Sequence, residues 1–524
     1  MQMHLSGFFR VCLLLLGAIV LSSCANIPNV SMAADPAKTA PQAGETVIVI
    51  SMSGNTTRVG QLDTIRLRRV ILHGEQSNPN DAYILKQVTK GLGRDSAIYV
   101  GVVPPGSYSI DRFDIYQGQS YIPMSAAGQR LLGPIDIRAG IPADLGRLVI
   151  TSLKEKVLIG RSKLPANNVE YLKKYLPAHA KFFEAKTIDP GWRNSRDKTD
   201  VVEEYALAQP AGLDALTELS SGEAAGASRL GLLMLRTKGG DWSTLHSGRL
   251  EALTYVKPVD LPNATLLATG EFNTLLRRDR ITGRLVAMSV GDLPLGTILF
   301  IEGDPESGWF IGHQENTKLS ILHSPSLTTP QWKEIRTEVI GHSFWDGSNQ
   351  MWVWRTATGF AYAVSNGNIY FYESGNRNWA TRTAPGGRRI LEIRNYPGDI
   401  LTMMSSPGGG FGGIFSGLYV SRDRALTWQE LESPFSIKTR APVVLPSGNI
   451  LVAGGVFDKP QLQISKDNGK TWTQHTDKVG FGDSFYVLPN QGLFAFTPGG
   501  TVTLRQSSDE GLTWKTEYST YFER

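Results

Sequence analysis

The chain has 524 residues, a length that favours roughly two to four domains, or fewer where an all-β repeat is present. Its net charge is only +5 and no basic stripe is clustered, so nucleic acid is excluded as an expected partner. The 55 glycines and 11 tryptophans favour tight turns and aromatic-rich strands, and the composition therefore predicts a mainly β fold.

Residues 1–23 have the pattern of a signal peptide. Arg10 precedes an apolar run at residues 11–21, which is too short to span a bilayer because a spanning helix needs about 20 residues. An aliphatic residue and two serines then come directly before Cys24. This segment resembles the bacterial lipobox, in which the cysteine is diacylated and the chain is cut just before it.

The lipobox resemblance implies a mature chain that starts at Cys24 and is anchored to a membrane by acyl chains. Ala25 follows the cysteine, which resembles the outer-membrane-sorted pattern of Gram-negative lipoproteins. The alternative is an ordinary signal peptide with Cys24 incidental. Since Cys12 lies in the removed segment, the mature chain has no partner thiol for a disulfide. Residues 24–44 are rich in Ala, Pro and Asn and are predicted to be a disordered tether.

Residues 45–160 alternate short strand-like runs with turn signals, which predicts a small β-sandwich. Segment 102–113, with its Pro-Pro-Gly turn at 104–106, and the later segment 137–150 resemble the prealbumin-like domains of other envelope lipoproteins. Residues 161–228 change character and are predicted to be a partly helical connector, with helices over Asn168–Leu176 and Asp200–Ala208.

Residues 229–524 are β again and repeat the pattern S-x-D-x-G-x-T-W. The tryptophans of three ungapped copies lie 44 and 42 residues apart, and a period of about 40–50 residues fits one four-stranded propeller blade. The motif positions are Ser421, Asp423, Thr427 and Trp428; Ser465, Asp467, Gly469, Thr471 and Trp472; and Ser507, Asp509, Gly511, Thr513 and Trp514, with Ala425 replacing the glycine of the first copy.

This motif resembles the Asp-box, or BNR repeat, of sialidases and related propellers. The resemblance implies a structural role, because in that family the box tightens a hairpin turn away from the active site. Its aspartate accepts backbone N–H groups, its glycine supplies a left-handed conformation, and its tryptophan packs between sheets. Since Ala425 adopts a positive φ less readily than glycine, its turn is expected to be strained or reshaped.

Fainter copies upstream extend the period. The positions that close successive copies are 242, 285, 332, 379, 428, 472 and 514, with spacings between 42 and 49 residues. This regularity predicts a closed propeller of six or seven blades. The outer strands of the earliest blade are expected to come from the connector or from the other end of the chain.

A sialidase-like active site would require an arginine triad, a Tyr–Glu pair, an acid/base aspartate and, in most family enzymes, an Arg-Ile-Pro segment. The sequence has no such segment in the propeller, and Arg277, Arg278 and Arg336 stand in no recognisable context. The acidic residues Glu302, Asp304, Glu306 and Asp346 are favoured as solvated loop residues over glycosidase carboxylates. No catalytic residue is assigned.

The sequence predicts no cofactor and no metal site. The eight histidines form no ligand pattern. The glycine-rich segment Ser405–Gly417 lacks the Lys-Ser/Thr of a phosphate loop and is favoured as an inter-strand loop. Trp352 and Trp354 alternate and are favoured as blade packing over a ligand surface, although Val339–Phe360 is aromatic-rich.

Three hypotheses follow from these patterns. The first is a non-catalytic envelope lipoprotein, in the outer membrane if the cell is Gram-negative, whose propeller binds a protein or glycan partner. The second is a diverged, sialidase-like glycoside hydrolase acting on surface glycans. The third is a sugar-binding module without turnover.

Overall fold

The computed structural model describes most of the chain from residue 41 onwards. Cys24, the predicted signal peptide and almost all of the predicted tether lie outside the described residues, as does Asp346. The described residues are 41–55, 59–70, 82–115, 120–153, 156–184, 187–193, 200–340, 351–406, 416–435, 437–456, 459–476, 479, 483–497 and 502–520.

Residues 46–161, here called the sheet domain, form nine strands paired in the order β6-β5-β2-β3-β4-β1-β8-β9, with β7 against β5. Strands β1 and β8 pair in parallel, and the other pairs are antiparallel. The elements are β1 Thr46–Gly54, β2 Leu62–Arg69, β3 Ala82–Gln87, β4 Ser96–Val103, β5 Gly106–Ile115, β6 Ser120–Pro123, helix α1 Ala126–Leu132, β7 Ile135–Ile137, β8 Ala143–Leu153 and β9 Lys156–Arg161.

The nine strands form one continuous hydrogen-bonded sheet, whereas the sequence predicted a sandwich of two. One cluster takes buried side chains from eight of the nine strands, and the half-buried Ile122 of β6 packs against it, so the sheet curls around a shared core. Ile48, Ile50 and Met52 of β1 face this core, while Val47 and Val49 face a second cluster on the other side. Burial on both faces explains why β1 is a nearly continuous apolar run.

Three helices follow, α2 Asn168–Tyr175, α3 Pro177–Ala180 and α4 Asp200–Leu207. Two of them confirm the helices predicted from the sequence to within one residue at each end. Leu172 of α2 is fully buried and packs with Val47 and Val49 of β1, together with Phe272 and Leu295 from the second half of the chain. The helices therefore join the sheet domain to the rest of the molecule.

The second half of the chain is a seven-bladed β-propeller, and each blade is a sheet of four consecutive strands. The strands of blades 1 to 4 are β10 Asp214–Glu218, β11 Ala224–Ala227, β12 Leu232–Arg236 and β13 Trp242–His246; β14 Leu253–Leu261, β15 Ala264–Gly270, β16 Thr274–Asp279 and β17 Leu285–Ala287; β18 Thr297–Asp304, β19 Gly308–Glu315, β20 Lys318–Ser324 and β21 Lys333–Val339; and β22 Met351–Thr356, β23 Gly359–Val364, β24 Asn368–Glu373 and β25 Asn378–Thr383. Those of blades 5 to 7 are β26 Arg389–Tyr396, β27 Ile400–Ser406, β28 Gly417–Ser421 and β29 Gln429–Leu431; β30 Val443–Val444, β31 Ile450–Val456, β32 Lys459–Ser465 and β33 Thr473–Thr476; and β34 Ser484–Leu488, β35 Gly492–Thr497, β36 Thr503–Ser507 and β37 Lys515–Ser519.

The period read from the sequence marks the same place in every blade. Each of the seven closing positions lies within one residue of the start of a fourth strand. Trp428, Trp472 and Trp514 each pack into the cluster between their own blade and the preceding one. The prediction of six or seven blades is confirmed as seven.

The first blade begins at Asp214, inside the stretch that the sequence assigned to the connector. The inner strands of this blade, β10 and β11, come from that stretch. From the sequence, the outer strands were instead expected to come from the connector or from the other end of the chain. Strand β11 is the small-residue run Ala224–Ala227, and every residue in it is buried. A Cβ on Gly226 would lie 2.5 Å from Leu213 Cδ1, so there is no room for a larger residue at this position. A run of such small residues lacks the sequence pattern by which a strand is predicted.

The two faces of the propeller follow from the blade topology. Every blade runs antiparallel through its four strands, so the turns between strands 1 and 2 and between strands 3 and 4 share one face, here called the motif face. The turns between strands 2 and 3 share the opposite face with the blade-to-blade connections, here called the connection face. The first strands of blades 1 and 2, 2 and 3, 4 and 5, and 7 and 1 contact one another, so the first strand of a blade lies innermost, beside the channel.

Candidate functional site at the propeller channel

The sheet domain and helices dock on the connection face of blades 1 to 3. Thr297, which begins blade 3, donates its hydroxyl to Leu92 O at 2.8 Å. Asn316, in the turn between strands 2 and 3 of the same blade, donates its N–H to Gly91 O at 3.1 Å. The residue Gln209, which follows α4, exchanges hydrogen bonds with Thr520 at the end of blade 7. Among the described residues, the docking contacts therefore lie on blades 1 to 3 and on blade 7.

A buried ion pair lies in this docking interface. Arg147 of β8 donates from Nη2 to Glu251 Oε1 at 2.8 Å, and the two side chains are only 4 % and 2 % exposed. Burial alone would raise the pKa of Glu251, but Arg147 and Arg249 overcome it and lower that pKa to about 2. Glu251 is therefore ionised near neutral pH and joins the two parts of the chain electrostatically.

The channel contains a cluster that the sequence did not predict. Four residues on the first strands of blades 2, 3 and 4, here called the channel cluster, meet around Glu302. Tyr255 and Lys257 each donate to the Glu302 carboxylate at 2.6 Å. Arg355 donates from Nε to the same carboxylate at 3.2 Å and from Nη2 to Pro258 O at 2.9 Å. Arg355 thus links blade 4 to blades 3 and 2.

Glu302 was expected to be a solvated loop residue, and that expectation is wrong, since its side chain is only 3 % exposed. Asp304 is the last residue of β18 and Glu306 lies in the following turn, where Asp304 accepts the N–H groups of Glu306 and Ser307. A carboxylate directly after the apolar run TILFI was the available signal. Its meaning depended on Tyr255 and Lys257 on another strand, which no local pattern could reveal.

The electrostatics of the channel cluster favour a fixed structure. Burial lowers the pKa of Lys257, although the Glu302 carboxylate opposes the shift. Burial and the neighbouring carboxylate of Glu302 raise the pKa of Tyr255 well above its usual value, so this phenol stays protonated as a donor. The arrangement is a Tyr–Glu pair flanked by two cations, and Arg355 is its most exposed member at 47 %.

A second charged group spans blades 5 to 7. Arg394 of β26 donates to Glu392 Oε1 at 2.8 and 2.5 Å and to Phe485 O of blade 7 at 2.5 Å. Glu392 accepts the Ala441 N–H of the connection into blade 6 at 2.7 Å. Arg440 donates to Asp483 O and to Ser484 Oγ, both at 3.2 Å. Arginines in both halves of the ring are therefore engaged by partners within the propeller.

The arginines singled out from the sequence do not line the channel. Arg277 and Arg278 lie on the third strand of blade 2, where they pair with Asp279 and Glu223. Arg336 lies on the fourth strand of blade 3, pairs with Glu338 and stacks 3.8 Å from the Tyr370 ring centroid. Their positions on outer strands agree with their lack of a recognisable sequence context.

The aromatic and glycine-rich segments singled out from the sequence lie in blades 4 and 5. Trp354 is 8 % exposed and packs between blades 4 and 5 with the half-buried Trp352, so the packing interpretation is confirmed for both. Ser405–Gly417 does connect two strands, β27 and β28 of blade 5, while its residues 407–415 lie outside the described ones.

The three motif segments form the turns between strands 3 and 4 of blades 5, 6 and 7, and are here called the motif turns. In each, the serine hydroxyl donates to the aspartate Oδ1 at 2.8 Å, and the threonine N–H donates to that oxygen at 2.9 Å. The threonine hydroxyl donates to Oδ2 at 2.5, 2.6 and 2.5 Å. These contacts are local, so the motif turns brace the outer strands.

Ala425 does not reshape its turn. It adopts φ +63°, close to the +83° of Gly469, and its N–H donates to Ser421 Oγ at 2.9 Å as Gly469 does to Ser465 Oγ at 2.7 Å. Its side chain is 3 % exposed and packs between blades 4 and 5. Of the two expected outcomes, the turn is therefore strained and not reshaped, and burial of the methyl group offsets part of the cost of the left-handed conformation.

The side chains of the described part of the chain include no group of three or more His, Cys, Asp or Glu residues arranged to hold a metal ion. None of its helices has the length and hydrophobicity needed to cross a membrane.

Together, the seven sheets and the ionic channel define the molecule as a β-propeller carrying a docked N-terminal sheet domain. No family model matches the chain, and no curated protein matches it. Among solved structures it is similar to YCF48 bound to D1 peptide, with 18% identity, a TM-score of 0.41, and coverage of 57% of this chain and 93% of that one. It is also similar to the GH74 xyloglucanase from Xanthomonas campestris, with 12% identity, a TM-score of 0.39, and coverage of 57% and 52%. A third is the Swd1 β-propeller domain of a Myceliophthora thermophila protein, with 9% identity, a TM-score of 0.38, and coverage of 56% and 96%.

Proposed function

We propose that this chain is a cell-envelope lipoprotein, tethered through Cys24, whose propeller binds a protein or glycan partner without turning it over. The observation that carries the proposal is the state of the channel. Arg355, Arg394 and Arg440 all have carboxylate, carbonyl or hydroxyl partners inside the propeller, so none is held ready for a substrate carboxylate. Recognition is accordingly assigned to a face and not to the channel.

The open half of the connection face, over blades 4 to 6, is the surface we assign to the partner. The docking contacts of the described residues lie outside it, on blades 1 to 3 and 7. Exposed backbone is present there at Asn366 and at Gly386–Gly387, and the partly exposed cations Arg388 and Lys438 stand nearby. A surface with exposed turns and basic side chains suits a partner that carries carboxylate or phosphate groups.

The motif turns support a structural role for the Asp-box resemblance. Their carboxylates are saturated by the serine and threonine groups of their own turn, and they lie on the motif face. They hold the blades that carry the open half and do not themselves recognise a ligand.

A photo-crosslinking amino acid placed at Asn366 or Gly386 tests the partner surface in intact cells. Both positions should give one discrete adduct of the same mass, carrying the same envelope component. The controls are Ile281 and Leu512, which are 94 % and 58 % exposed on the motif face and should give no such adduct. Adducts at the control positions alone would reject this assignment.

The anchor has its own test. Cells fed a labelled fatty acid should label the wild-type chain, and Cys24→Ser should abolish labelling and release the protein from the membrane fraction. A Cys24→Ser chain that still fractionates with membranes and carries label would refute lipidation at this residue.

The alternative function is a glycoside hydrolase, and the Tyr255–Glu302 pair favours it specifically, because sialidase-like enzymes use such a pair as a nucleophile. Purified mature protein should be assayed against aryl glycosides, including sialosides. Turnover that Glu302→Gln abolishes and Glu306→Gln retains would establish the enzyme and overturn the binding proposal. Absence of turnover together with the Asn366 adduct supports binding.

A further inference from the structure

Arg229 sits at the junction of the sheet domain and the propeller. It lies in the turn between strands 2 and 3 of blade 1, and its side chain is 12 % exposed. Its Nε contacts Asp95 of the sheet domain at 2.6 Å, and its Nη1 contacts Asp214 of the first propeller strand at 2.6 Å. A single guanidinium therefore joins carboxylates from both parts of the chain.

A third carboxylate lies beside this pair. Glu271, in the turn between strands 2 and 3 of blade 2, is 2 % exposed. Its Oε1 accepts the N–H groups of Arg94 and Asp95 at 2.6 and 2.7 Å, while its Oε2 is buried and has no hydrogen-bond partner among the described residues. Glu271 thus binds the backbone of the sheet domain at Arg94 and Asp95. When ionised, it is also repelled by the carboxylate of Asp95.

We propose that Glu271, Asp95 and Arg229 form a pH-sensitive latch that holds the sheet domain on the propeller when Glu271 is protonated and weakens when it ionises. The charges facing Glu271 are Asp95 and Arg94 from the sheet domain and Arg229, with Asp214 behind it, from the propeller. With Glu271 ionised, three carboxylates share the fully engaged Arg229 and the half-exposed Arg94, which is 3.9 Å from Asp95.

The remaining titratable neighbour does not change this balance. His313 donates from Nε2 to Oδ1 of Asn273 at 3.0 Å. Asn273 lies two residues after Glu271, and burial lowers the pKa of His313 to about 4. It is therefore neutral throughout the range in which the latch acts.

The direction of the pH effect follows from linkage. Burial first, and then the charge of Asp95, raise the pKa of Glu271 from its ordinary 4.5 to about 7. A carboxyl group whose pKa is raised on docking favours the docked state fully below about pH 4.5 and loses that contribution as the pH rises to about 7. These two values give a docking constant that falls about tenfold between pH 6 and pH 8.

Hydrogen exchange of the intact mature chain, corrected for intrinsic rates, measures the latch directly. Protection of the amides of Arg94 and Asp95 should fall about tenfold between pH 6 and pH 8 in the wild type. Glu271→Gln keeps an acceptor for both amides but carries no charge, so its protection should be the same at both pH values. The control Glu334→Gln removes an exposed carboxylate of blade 3 and should behave as the wild type does.

The outcomes decide the proposal. A wild-type chain with unchanged protection overturns it, and so does a Glu271→Gln variant with the same pH dependence as the wild type. The measurement involves no partner, so it stands or falls separately from the proposed function. If that function holds, release of the latch uncovers the connection face of blades 1 to 3 and enlarges the surface open to the partner.

Discussion

Arg236, on the third strand of blade 1, holds Glu517, on the fourth strand of blade 7, through two hydrogen bonds of 2.7 Å across 281 residues of sequence. The two side chains are 9 % and 4 % exposed, and Trp242 Nε1 donates to the same carboxylate at 2.9 Å. The first and last blades exchange no strand, since each is built from consecutive strands. Side-chain contacts therefore close the ring.

Replacement of Glu517 by alanine is expected to open this closure. It leaves the buried guanidinium of Arg236 without its counter-ion, a change that costs about 3–5 kcal/mol of unfolding free energy in buried pairs. Urea denaturation followed by tryptophan fluorescence measures the loss. The control is Glu334→Ala, which removes an ion pair whose side chains are 51 % and 45 % exposed and should cost less than about 1 kcal/mol. Equal losses in the two variants would contradict a special role for the closing pair.

The glycine position of the motif turns provides a graded test of backbone strain. Ala425→Gly relieves about 1–2 kcal/mol of left-handed backbone strain. It also loses a buried methyl group worth about 0.8 kcal/mol and increases the conformational freedom of the unfolded chain. The free energy of unfolding should therefore hardly change. In Gly469→Ala, a new Cβ would lie 2.5 Å from Leu431 Cδ2, whereas in Gly511→Ala the nearest atom, Leu493 Cδ2, would be 3.3 Å away. Thermal unfolding should therefore rank the losses as Gly469→Ala, then Gly511→Ala, then Ala425→Gly. Any other order would refute the strain argument.

The repeat was the part of the fold that the sequence predicted best. Each of the three motif tryptophans packs between two blades, so the spacing of one local motif predicted where the fourth strand of each blade begins. The start of blade 1 was missed because strand Ala224–Ala227 consists of small residues, and at Gly226 the close approach of Leu213 leaves no room for a Cβ. Small residues carry neither the alternation nor the bulk by which a strand is recognised.

The channel cluster was missed for a different reason. Tyr255, Glu302 and Arg355 lie on three separate blades, so their proximity is a property of ring closure and of no single segment. The docking interface shares this limitation, since Arg147 and Glu251 are 104 residues apart. Sequence patterns of period two or of about 45 residues identify elements, whereas these contacts depend on how the elements assemble.

Acid should loosen the motif turns. Hydrogen bonds from Thr427 lower the pKa of Asp423 to about 2, and hydrogen bonds from Thr513, working against burial, lower the pKa of Asp509 to about 2. A depressed carboxyl pKa gives stability that is present above the ordinary value near 3.8 and is lost as the pH falls towards 2. The melting temperature of the wild type should therefore drop between pH 4 and pH 2.

The matched variants for this effect replace aspartate by asparagine. A chain with Asn at 423, 467 and 509 should melt at a lower temperature at pH 7 and show a shallower fall between pH 4 and pH 2. Asp260→Asn is the control, because that side chain is 90 % exposed and belongs to no motif turn. If the triple variant retains the full acid dependence, the motif turns do not cause it.

The buried ion pair between Arg147 and Glu251 should show a large coupling energy, because loss of either member leaves the other charge without its partner. Glu251→Leu leaves the buried guanidinium of Arg147 without its counter-ion and should cost about 3–5 kcal/mol, with a comparable loss for Arg147→Met. The double variant removes both charges and should lose much less than the sum, since apolar side chains of similar volume tolerate the same burial. Urea denaturation of all four chains completes the cycle and gives the coupling energy. Strictly additive losses would mean that the pair does not couple the sheet domain to the propeller, and that docking depends on the other contacts, among them the apolar cluster around Phe272 and Leu295.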